Sequence, residues 1–131
     1  MNGRRTVAVG AGLAALAVVS GAFGAHGLRD LLEPRMLEVW ETAVRYHVYH
    51  ALGLVLVGLF ARQSEERGAS PDASALVAAA RFLLAGMALF SGSLYLLALS
   101  GQRWLGAITP LGGLALVAGW LAFARAAIRA R

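Results

Sequence analysis

Four uncharged apolar runs constrain this sequence more than any other feature. Residues 6–25, 46–61, 82–101 and 104–124 contain no Asp, Glu, Lys or Arg. A helix needs about 20 apolar residues to cross a bilayer. Three of the runs reach that length unaided. The second is short, but "VWETAV" before it extends the same helix. Composition agrees: 59% of residues are hydrophobic and 15% charged, against roughly 45–50% apolar in soluble domains. So few charges cannot cover a water-soluble surface at this size, so the bilayer is the expected solvent. The predicted fold is an all-α integral membrane four-helix bundle, one domain over residues 1–131. Its spans are expected at about 6–26, 44–62, 76–100 and 104–124.

The connections separate into two kinds. "RQSEERGASPDAS" is polar and punctuated by Gly and Pro, so it reads as a loop. "RDLLEPRMLEVWETAVR" reads as structure. Pro34 suits a first helical turn, Leu37, Trp40 and Val44 follow at helical spacing, and Glu41 and Arg45 form an i,i+4 pair. An additional interfacial helix over about 34–44, between spans one and two and leading or kinking into span two, is predicted. Trp40, Tyr46, Tyr49 and Trp104 would mark that interface.

Every basic residue is arginine, and the net charge is +5. The arginines are scattered at run ends and form no stripe, so they read as membrane anchors and not as a nucleic-acid surface. Eight lie in the N-terminal segment, the second connection and the C-terminal tail; four lie in the first and third connections. The positive-inside bias then predicts both termini in the cytoplasm. The absence of cysteine removes disulfides, thiolate chemistry and Cys-based metal sites. Two lookalikes are set aside. "MNGRR" before an apolar run resembles a signal peptide, but its run exceeds the usual 7–15 residues. "VAVGAGLAA" contains G-x-G-x-x-A, but no βαβ pattern surrounds it.

Small residues mark helix contacts in lipid, where association relies on close packing. Span one offers Ala17, Gly21 and Ala25, with Ser20 and Gly24 beside them. Span three offers Ala88, Ser91 and Gly92, and span four Gly112, Gly113 and Gly119. Tight packing at Gly21, Gly24, Gly92, Gly112 and Gly113 is expected, leaving little room for a wide pore. With carboxylates, Lys and Arg absent from the runs, histidine is the remaining ionisable type for an ion or proton path. By topology the polar residues His26, Tyr46, His50, Ser91, Ser93, Tyr95 and Thr109 fall at one membrane end. Pro110 is expected to bend span four one to two turns in. Their depths match, so a shared polar cluster is predicted.

"GAFGAHGL" (residues 21–28), "WETAVRYHVYHALG" (40–53), "LFSGSLYLLALS" (89–100) and "ITPLGGLALVAGW" (108–120) closely resemble the YgdD-type family of small four-span inner-membrane proteins. The resemblance covers nearly the whole chain apart from the tail and the polar loop. It implies the membrane fold and supplies no activity. In the family's second motif, W-x-T-x-x-x-Y-x-x-x-H, Trp40, Thr42, Tyr46 and His50 match, while His47 stands where glutamine is frequent. The resemblance thus favours His26 and His50 over His47.

Three functional classes follow. The leading expectation is a structural or accessory membrane protein that is not an enzyme and carries no cofactor. It would bind lipid, a membrane-protein partner or its own copy through small-residue faces. The alternatives are a transporter or channel for a small solute, with the polar cluster as its entry, and a haem or metal protein through His26 and His50. No nucleophile, base and orienting acid can be assembled from these residues.

Overall fold

The computed structural model describes residues 2–68 and 72–129. Among them, four helices are long and apolar enough to cross a membrane. Helix α1, Gly3–Ala22, opens on Asn2, whose side chain accepts a hydrogen bond from Arg5 N at 2.9 Å. It widens into a π-helical segment, Phe23–Gly27, where Leu28 N donates to Phe23 O at 3.0 Å. Helix α2, Pro34–Glu66, starts with proline in its first turn, where the missing N–H costs nothing. Helix α3, Ala73–Ser100, ends on Gly101 at φ 68°, a left-handed conformation that suits glycine. A 3₁₀ segment, Arg103–Ala107, leads into α4, Thr109–Ile128.

The expected interfacial helix takes the first of its two expected forms and continues into span two: it is the first part of α2, whose 33 residues span about 50 Å, well beyond the ~30 Å hydrocarbon core. Thr109 and Pro110 lie inside the apolar span Arg103–Ile128, as expected, but they form the first turn of α4 after the 3₁₀ segment. There the missing N–H of Pro110 breaks no helix bond, so the proline marks a junction and not a bend within α4.

The helices run up-down-up-down. Glycines set how closely they approach. A Cβ at Gly3 would meet Arg62, and one at Gly10 would lie 2.9 Å from Ala51 O; these contacts dock α1 antiparallel on α2. At the far end a Cβ on Gly24 would lie 2.5 Å from the Trp40 ring, and Trp40 Nε1 donates to Ser20 O at 2.9 Å. Gly86 faces Leu116, Gly119 faces Leu83 and Gly112 lies on the Phe90 backbone, which joins α3 to α4. Ala51, Leu54, Val57, Ala79 and Leu83 fill the centre. Large apolar side chains such as Val18, Leu56, Leu96 and Leu121 point outward, as a lipid-facing surface requires.

The packing glycines are therefore partly those expected. Gly24 and Gly112 are in tight contact, Gly21 lies 3.4 Å from Val44, and Gly113 only brushes the Phe90 ring at 3.7 Å. Gly92 is a correction: a Cβ there would meet nothing within 4 Å, because it faces a gap beside α3.

The start of α1, the end of α2, the start of α3 and the end of α4 lie at one end of the bundle. There Asp72 caps α3, accepting from Ala75 N at 3.0 Å and Ser74 Oγ at 2.6 Å. Arg125 and Arg129 of α4 reach the same carboxylate at 3.1 and 3.6 Å. The Ser74 hydroxyl first, then the Ala75 amide and Arg125, hold its pKa down at about 2.

Candidate functional site

The opposite end carries the polar residues, and α2 sets their arrangement. Trp40, Ala43, His47, His50, Leu54 and Val57 recur at spacings of three and four, so they share the buried face of α2. Tyr46 and Tyr49 fall on the outer side and are exposed.

Two separate groups result. In the first, His47 Nδ1 lies 3.2 Å from Tyr95 Oη, and the Tyr95 ring packs 4.6 Å from Trp40. Through the Trp40–Ser20 bond this group ties α1, α2 and α3 together. In the second, the His50 Nδ1–H donates to Tyr46 O at 2.6 Å; a carbonyl only accepts, so the proton sits on Nδ1. Tyr46 stacks on Phe90 at 4.4 Å, and His50 faces Trp120 at 6.2 Å. On the neighbouring pair, Ser93 Oγ and Thr109 Oγ1 share a hydrogen bond at 2.9 Å, and Ser93 Oγ also donates to Phe90 O at 3.0 Å.

The single cluster expected from depth is therefore divided between the α1–α2–α3 side and the α2–α3–α4 side. His26 belongs to neither. It lies in the π-helical segment and is exposed. The segment packs on Trp40, about 15 Å along α2 from His50. His26 and His50 are not assembled as a ligand pair. His47, expected to matter less, is buried, with 6% of its surface exposed, and has the inter-helix partner. The three-and-four spacing from Trp40 was the signal that could have found it. Among the described residues, no group of three or more His, Asp or Glu side chains is placed to hold a metal ion.

Ser91 stands apart. It is 2% exposed, and its Oγ has no hydrogen-bond partner among the described residues. It lines a groove of about 340 Å³ between α1 and α3, together with Leu13, Leu16, His47, Met87 and Tyr95.

A family model described as "Protein of unknown function (DUF423)" matches residues 20–113. The chain belongs to this family. The matched segment runs from Ser20 to beyond Thr109, so it holds both polar groups except Trp120. Among relatives, the UPF0382 membrane protein YwdK of Bacillus subtilis (strain 168) is 45% identical over 123 residues, covering 94% of this chain and 95% of the relative. A UPF0382 membrane protein of Staphylococcus haemolyticus (strain JCSC1435) is 47% identical over 116 residues, 88% of each chain. No solved structure matches the chain. As a DUF423 protein it is an integral membrane protein of a family with no assigned activity, and its four apolar helices agree with that.

Proposed function

We propose that this protein is a non-enzymatic, cofactor-free accessory component of the cytoplasmic membrane that holds a lipid or a membrane-protein partner, a second copy included, against its helix faces. One observation carries the reading: most polar side chains of the spans are bonded inside the bundle. Ser93 bonds Thr109, His50 bonds the Tyr46 carbonyl and His47 meets Tyr95. Groups closed on one another in this way do not line a path for a solute, whereas the outward face is broad and apolar. The eight-to-four arginine distribution supports cytoplasmic termini, and the likeness to YgdD-type inner-membrane proteins supports that membrane.

The experiment is reconstitution. Liposomes containing the purified protein should pass ions, protons and glycerol no faster than protein-free liposomes. A protein-dependent flux that Thr109→Val or His50→Ala removes would replace this reading with a transporter.

A further inference from the structure

The groove between α1 and α3 has the composition of a ligand site. Its walls are Leu13, Leu16, Leu84, Met87 and Ala88, and Gly92 leaves it open beside α3. At about 340 Å³ it falls within the ~300–1,000 Å³ of small-molecule pockets. Its polar residues are His47, Ser91 and Tyr95, and no charged side chain lines it.

The donor count at this floor is fixed by elementary chemistry. A neutral imidazole carries one N–H. If Tyr95 O–H donates to His47 Nδ1, then Nε2–H is a free donor. If Nδ1–H donates to Tyr95 Oη, the Tyr95 O–H is left for the Ser20 side chain beside it or for a ligand. Either tautomer leaves one donor beyond the 3.2 Å contact. The Ser91 hydroxyl supplies a second, since it has no partner. A buried hydroxyl without a partner is costly, and a rotation about χ1 between staggered positions re-aims it. The groove's surface is almost wholly apolar and these donors lie beneath it; with Ser91 turned towards the groove, two donors meet at its floor, and a carbonyl oxygen, with two lone pairs, accepts from both.

Depth narrows the class. Ser91 lies about 14 Å along α3 from its end at Ser100. The helix is about 42 Å long, so centred on a ~30 Å core it overhangs by about 6 Å at each end. Ser91 then lies about 8 Å below the hydrocarbon boundary. Phosphate and ammonium headgroups do not reach that depth cheaply, and glycerol esters are held at the interface by their polar backbone. A small neutral ring ketone dissolves there.

We propose that the α1–α3 groove binds a lipid-soluble quinone-type molecule, its ring carbonyl accepting hydrogen bonds from Ser91 and the His47–Tyr95 pair and its tail lying along Leu13, Leu16 and Leu84. The proposal rests on the accessory, lipid-holding reading and names its ligand. No electron transfer is part of it.

Trp40, packed on Tyr95, is the reporter. Trp104→Phe with Trp120→Phe leaves it as the sole tryptophan of three. That protein, in nanodiscs, is titrated with a decyl-substituted benzoquinone. Trp40 fluorescence should fall along a saturating curve. Ser91→Ala should weaken the half-saturation point about tenfold, the value of one hydrogen bond near 1.4 kcal/mol. Its unfolding temperature should stay level or rise, because an unpartnered hydroxyl is gone; a merely structural Ser91 would not separate the two readouts. Gly92→Leu should fill the groove and abolish saturation while the protein stays folded. Linear quenching, equal in wild type and both variants, would overturn the proposal. Equal or tighter saturation by dioctanoylglycerol, measured by its competition with the quinone, would overturn the ring-ketone assignment. Solute flux in liposomes would instead overturn the accessory reading, so the two failures are distinct.

Discussion

At position 47 an imidazole lies between three helices, with a tyrosine hydroxyl at 3.2 Å as its partner. His47→Ala removes the ring and its hydrogen bond to Tyr95 Oη, a loss of about 1–3 kcal/mol. His26→Ala, at an exposed ring, should stay within about 0.5 kcal/mol of wild type. Thermal unfolding in detergent, followed by circular dichroism, ranks the two; equal losses would contradict the arrangement of the polar groups. The glycines divide in the same manner. Gly112→Leu drives a side chain into the Phe90 backbone, which cannot move aside, so its loss should exceed the about 1–3 kcal/mol of ordinary overpacking. Gly92→Leu meets open space and should cost less than about 1 kcal/mol. If both variants unfold alike, the packing of α4 on α3 is wrong.

Among the elements, α3 is the one whose start depends on charge. Asp72 caps it and draws two arginines from α4. Its pKa in the folded protein, about 2, lies below the unfolded value near 3.8. A depressed carboxylate stabilises the fold above its unfolded pKa and loses that contribution as pH falls. Stability should therefore be level above about pH 5 and decline between about pH 4 and pH 2. In Asp72→Asn the decline over that window should be smaller; an unchanged acid profile would remove Asp72 from the account. The helices themselves were legible, because uninterrupted runs without charge have few other solutions. What a linear reading supplied for each polar residue was depth, not direction. Ser91 and Ser93 are at nearly one depth, yet about 200° apart around α3; one faces the α1 groove and the other bonds Thr109. Gly112 and Gly113 are neighbours, and only the first lies against backbone. Which face meets a partner depends on how each helix is rotated, and rotation is fixed by packing across the whole bundle. His26 and His50 were grouped on depth and motif for the same reason, while the Trp40–Ala43–His47 spacing, which does encode direction, pointed to His47.

The whole molecule is a four-span bundle with the start of α1, the end of α2, the start of α3 and the end of α4 at one end and the polar groups towards the other. The family membership and apolar helices establish a membrane protein; the side on which each connection lies rests on arginine placement. Because the chain has no cysteine, single introduced thiols report position without background. The direct measurement is labelling of intact cells with a membrane-impermeant maleimide, on Arg5→Cys, Glu65→Cys and Arg129→Cys at one end and Arg35→Cys and Gln102→Cys at the other. The first three should react only after the cells are opened, and the last two should react from outside. Reversed labelling would overturn the orientation, and any division within the first three would contradict the four-span bundle itself.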